Sequence, residues 1–158
     1  MPFKLEYLER IVTRRSLLRT VAGFAGALSV ARIWAAGSQD VPLAIEHGLR
    51  TRLAKGPGYI IFEWKRPEYG YTQFGLNEEM GLFLDVPLCC LSDRQVALTK
   101  SLLEPFGIPP KEVKKVGPVY QIPVRGPEDG ARLAWAFVSR VHGVARVERL
   151  ATVLEDWD

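Results

Sequence analysis

The side chains with the most chemical reach are few: the adjacent cysteines Cys89 and Cys90, the histidines His47 and His142, and the carboxylates Glu63 and Asp85. Zinc needs a spaced set of Cys and His ligands, and neither the Cys-Cys pair nor the two distant histidines supplies one. The nucleophile elbow G-x-S-x-G, the phosphate-cradling glycine loop and H-E-x-x-H are all missing. A thiol that follows a strand is expected to be buried and inert, because reactivity requires a depressed pKa. Glu63 and Asp85, each on a candidate strand, are expected to face one another across neighbouring strands, the arrangement a carboxylate acid–base pair would use. Exposed strand positions carry such residues without function just as readily. His47 and His142 both read as structural. The sequence therefore nominates no catalytic residue, no metal ligand and no cofactor.

What remains is surface for binding. Tyr59, Trp64, Tyr69 and Tyr71, with Trp135 further on, are numerous for a chain of 158 residues. Gathered on one sheet face they form a partner groove, since aromatic rings supply large, rigid apolar contact area. The alternative is that the same rings fill the core.

These residues need elements to hold them. Y-I-I-F-E-W from Tyr59, Y-T-Q-F-G-L from Tyr71 and the run Leu82–Val86 alternate with period 2 and are separated by R-P-E-Y-G and N-E-E-M-G, which predicts three antiparallel strands. Ile60, Phe62 and Trp64 share the face expected to be the core. After Leu91 the spacing becomes helical. Ser92 and Gln95 make a capping box, Leu91 and Val96 a hydrophobic staple, and Pro105 stops the helix. Before the strands, Val41–Lys55 reads as a helix capped by Asp40 and closed by Gly56-Pro57-Gly58. Beyond them, the cationic run Lys111–Lys115 reads as solvated surface. Val119–Val124 gives a fourth strand, which Pro123 places at an edge. Pro127 opens another helix, with Glu128 and Asp129 at its positive end and Gly143 beyond its C-terminus. Val147, Leu150, Ala151 and Leu154 have helical spacing. The expected class is α+β, a two-layer sandwich of about four antiparallel strands packed with helices, formed by residues 38–158.

Residues 1–37 read differently. Lys4, Arg10, Arg14, Arg15, Arg19 and Arg32 against Glu6 and Glu9 leave +4 there and −1 in the remainder. The basic isoelectric point thus comes from this region, and the folded part lacks the basic face that nucleic-acid binding needs. T-R-R-S-L-L-R, with Arg14, Arg15, Leu17 and Leu18 at its centre, resembles the twin-arginine export motif. The twelve uncharged residues Thr20–Ala31 follow it, with small residues at Ser29 and Ala31, or at Ala35 and Gly37, as candidate cleavage positions. The resemblance implies export in bacteria to the periplasm or beyond. The alternative is a cytoplasmic N-terminal helix. A run of twelve is short of the roughly 20 residues that cross a bilayer, so a membrane is met only through the leader.

The order of helix, three antiparallel strands, capped helix, strand and helix resembles the type III secretion chaperone-like and YbjN-type domains. Y-T-Q-F-G-L, G-L-F-L-D-V-P, L-S-D-R-Q and L-L-E-P-F-G-I-P-P over Tyr71–Pro110, then D-G-A-R-L-A-W-A-F-V-S-R-V-H-G-V, carry the likeness. It implies a non-enzymatic, chaperone-like module that binds another polypeptide, with a homodimer as the expected assembly. The leader departs from that family, whose chaperones act in the cytoplasm. A small exported enzyme or cofactor-binding protein, or a structural envelope protein, are the alternatives.

Overall fold

The computed structural model describes residues 32–34, 40–65 and 69–156. The export motif at Arg14, Arg15, Leu17 and Leu18 lies outside the described residues, as do residues 66–68 and the last two residues. Seven strands are described: β1 (Arg32–Trp34), β2 (Gly58–Lys65), β3 (Tyr69–Asn77), β4 (Gly81–Pro87), β5 (Lys114–Val116), β6 (Val119–Pro123) and β7 (Arg149–Asp156). They form one antiparallel sheet in the order β1-β7-β2-β3-β4-β6-β5. Three helices accompany it: α1 (Val41–Lys55), α2 (Asp93–Leu103) and α3 (Pro127–Ala136), the last continued by a single π-helical turn over Phe137–Val141. The fold is α+β with helices layered on the sheet, as the sequence predicts.

The sheet is wider than the four strands expected, for three physical reasons. Leu150 and Leu154 are four apart, a spacing that suits a helix and a strand equally, so the segment read as helical is in fact β7. What decides it is pairing: Leu150, Thr152 and Leu154 lie opposite Trp64, Phe62 and Ile60 along the whole of β2. The cationic run is half strand, because Lys114–Val116 pairs with β6 as an exposed edge, and lysines on an edge discourage further pairing. Arg32–Trp34, inside the stretch assigned to the leader, pairs with β7 at the opposite edge. Pro123 lies on β6, second from the edge and not at it. β5 reaches only from Val119 to Gln121, so at Pro123 no described strand lies beyond to need the missing N–H.

One connected core joins the helices to one sheet face. Ile60, Phe62, Trp64, Phe74, Leu82, Leu84 and Ile122 meet Ala44, Ile45 and Leu49 of α1 and Ala131, Leu133 and Ala134 of α3. Glycine sets the approach distances. A Cβ on Gly48 would come within 2.7 Å of the Phe62 ring, and one on Gly130 within 2.9 Å of Leu49. These two glycines therefore allow α1 to lie on β2 and α3 to lie on α1. α2 packs at the end of α3, where Gln95 both closes the Ser92 capping box and donates from Nε2 to the Val141 carbonyl at 3.0 Å.

Candidate functional site

Successive strand residues point to opposite faces, so the register sorts the candidate residues without ambiguity. Tyr59, Ile61 and Glu63 of β2 lie opposite Gly75, Gln73 and Tyr71 of β3, and Gln73 and Gly75 lie opposite Asp85 and Phe83 of β4. On the other flank, Ala151, Val153 and Glu155 of β7 oppose Glu63, Ile61 and Tyr59. All of these belong to the face turned away from the core. The connected core that contains every described helix leaves out Ile61, Phe83, Val119 and Val153, the apolar residues of this second face.

The face has an apolar centre with polar groups set into it. The Phe83 ring lies over Gly75, where a Cβ would stand 2.3 Å from its Cζ, so glycine there makes room for a ring on the neighbouring strand. Gln73 donates from Nε2 to Asp85 Oδ2 at 3.0 Å, and both residues are buried. A buried carboxylate is tolerable only when hydrogen-bonded, and the cross-strand amide meets that need at Oδ2. Tyr59 and Tyr71 are partly buried, Tyr71 directly opposite Glu63 and Tyr59 four residues from Glu63 along β2.

The four aromatic residues nominated by sequence are therefore split. Tyr59 and Tyr71 share the second face, whereas Trp64 is a core residue, 4% exposed, its ring over Gly70 and beside His142 at a 5.9 Å centroid distance. Tyr69 begins β3 opposite Lys65. Glu63 and Asp85 share the second face too, but β3 runs between their strands, so they do not form the neighbouring-strand pair that alternation suggested. Asp85 meets Gln73 instead.

Cys89 and Cys90 are also placed differently from expectation. They sit on a single 3-10 turn between β4 and α2, both exposed, with their sulfur atoms 3.6 Å apart. Partial burial, and then the hydrogen bond with Cys90, push the Cys89 thiol above its usual range, the reverse of nucleophile activation. Burial lowers the pKa of His142, whose ring meets Phe137 edge-on at 4.9 Å. Among the described residues no cluster of three or more His, Cys, Asp or Glu side chains could hold a metal ion, and no helix is long and apolar enough to cross a membrane.

Sequence reasoning missed Arg52, the largest fully buried side chain. It donates to the carbonyls of Gly56 (2.9 Å), Pro57 (3.2 Å) and Glu155 (3.1 Å) and ion-pairs with Asp156 at 2.8 Å. It thereby ties the end of α1 to the far end of β7. Gly58, at φ +148°, is the residue whose lack of a Cβ leaves space for this guanidinium.

No protein-family model, curated protein or solved structure matches the chain.

Proposed function

We propose that this protein is a non-enzymatic module that binds another polypeptide through the sheet face carrying Tyr59, Ile61 and Tyr71, in the manner of the secretion-chaperone-like domains its element order resembles. The reading is carried by one observation: both faces of the sheet are apolar at their centres, yet all three described helices pack on one of them. The centre of that face, Ile61, Phe83 and Val153, is buried, and the half-buried Tyr59 and Tyr71 are the aromatic side chains of the face that a partner can reach, combining apolar ring area with a hydroxyl as at protein interfaces. The likeness of the leader to the twin-arginine motif supports action in the periplasm or outside the cell of a bacterium, with the cytoplasm as the alternative where the leader is retained.

The test is site-specific photo-cross-linking in the native host, with the photoreactive residue at Tyr71. The expected result is a discrete adduct with a second polypeptide, lost when Ile61→Asp places an unpaired charge in the middle of the face. Turnover of a small molecule by the purified protein that vanishes on changing one side chain would replace this reading with an enzymatic one.

A further inference from the structure

We propose that Cys89 and Cys90 form a reversible modification site, a vicinal dithiol that closes to a disulfide ring by exchange with small disulfides such as glutathione disulfide. The site is separate from the sheet face and independent of what binds there.

Placement is the first support. The two cysteines lie on the three-residue turn Leu88–Cys90 that joins β4 to α2, both are exposed, and their Sγ atoms are 3.6 Å apart. Adjacent side chains on a strand point to opposite faces, so this contact exists only because the chain leaves β4 at Pro87 and turns. Both thiols are open to a soluble reagent, and each has the other within reach.

The lack of a competitor is the second. The chain contains no other cysteine. A mixed disulfide formed at one sulfur therefore has a single thiol in its own chain that can resolve it, and that thiol is already in contact. A neighbour held in place reacts ahead of a second glutathione or a second chain in dilute solution.

Geometry sets the character of the bond. Adjacent Cα atoms are about 3.8 Å apart, below the roughly 4.4–6.8 Å that relaxed disulfides span. A ring closed between neighbours is therefore strained, and strained, exposed disulfides are readily reduced. The turn is tied at both ends: Leu88 donates its N–H to the Pro118 carbonyl at 2.7 Å, Leu91 donates to the Leu88 carbonyl at 3.2 Å, and the Ser92–Gln95 box follows at once. Relieving the strain by drifting would cost those hydrogen bonds. Partial burial, and then the hydrogen bond with Cys90, hold the proton on Cys89 and slow its attack, which suits a pair that equilibrates with the surrounding thiols and not one that turns over a substrate.

The exchange balances without a further reagent. One thiol gives up its proton and attacks a sulfur of glutathione disulfide, forming a mixed disulfide and releasing one glutathione, which takes up that proton. The neighbouring thiol then loses its proton, attacks the protein sulfur of the mixed disulfide and expels the second glutathione. The dithiol loses two electrons and two protons, and glutathione disulfide gains them as two thiols.

The experiment incubates the full chain with excess glutathione disulfide, quenches with acid, and reads the intact mass and the mass of the peptide that carries both cysteines. The expected product is lighter than the reduced chain by two hydrogens, both lost from that peptide, and excess reduced glutathione restores the starting mass. Cys89→Ser and Cys90→Ser, changes at exposed positions, are each expected to stop at one glutathione adduct, since the resolving thiol is gone. A wild-type chain that stays reduced, that accumulates glutathione adducts, or that links two copies through a disulfide would overturn the proposal. So would a ring that excess reduced glutathione fails to open, because that is the behaviour of a permanent staple.

Discussion

Arg52 shows how one side chain can do the work of an element. A guanidinium in the last turn of a helix normally extends into water, where it also suits the helix dipole. Here it is fully buried and takes its partners from four carbonyls and the Asp156 carboxylate, one of the carbonyls being that of Glu155 at the other end of the described chain. Arg52→Met removes the donors and leaves part-buried carbonyls short of a partner, so it should cost about 2 kcal/mol in chemical denaturation, and Arg52→Lys should recover only part of this. The nearby Gly56-Pro57-Gly58 turn supplies two of the carbonyls, but the partners that bury Arg52 between α1 and β7, Glu155 and Asp156, lie on a strand that sequence spacing alone does not identify. His142 makes a prediction of the opposite kind. Partial desolvation of the otherwise exposed ring beside Trp64 and Phe137 depresses its pKa below the usual 6.5, so on acidification the unfolded chain takes up the proton first. The associated stability is complete above that value and is lost as the pH falls through the folded-state pKa. Denaturation midpoints measured across this range should decline towards acid, and His142→Gln should flatten the slope.

Among the elements, α2 was the most fully legible. Ser92 and Gln95 form the reciprocal box their spacing announced, the serine hydroxyl accepting from the Gln95 N–H at 3.3 Å and Gln95 Oε1 accepting from the Ser92 N–H at 2.9 Å. Ser92→Ala should destabilise the protein by about 1 kcal/mol, read by thermal melting. Gln95→Ala should exceed it, because the same side chain also holds the Val141 carbonyl at the end of the π-helical turn. The three strands β2, β3 and β4 and the choice of Ile60, Phe62 and Trp64 as the core face were equally legible, since period-2 alternation bounded by turns has few alternatives. β7 was not, because leucines four apart satisfy both periods and only the partner strand settles the matter. The candidate site was half legible for the same reason. Tyr59 and Tyr71 could be named from composition, but their shared face, and Trp64's place on the opposite one, follow from the pairing register.

At the scale of the whole molecule, the two candidate cleavage positions have different structural outcomes. Cutting after Ala31 would leave Arg32–Trp34 in the sheet, whereas cutting after Gly37 would strip β1 and expose the outer edge of β7. An unprotected strand edge invites pairing between molecules. Intact-mass analysis of protein recovered from the native host should show which end is present. If the leader is removed, the mass starting at Arg32 is expected, because that product keeps β7 covered.

β7 has one more consequence. It lies inside the sheet and not at its margin, and it pairs Gly58 with Asp156 and Lys65 with Arg149. The hydrogen bonds that complete the sheet therefore close a loop spanning most of the described chain. Loops of that size are entropically slow to close, so refolding should be governed by this late long-range encounter and not by formation of the β2–β3–β4 meander. Until it happens, both the first hairpin edge and the strand meant to cover it stay open to any neighbouring chain, which makes the unfinished protein, more than the finished one, the form that needs protection from aggregation.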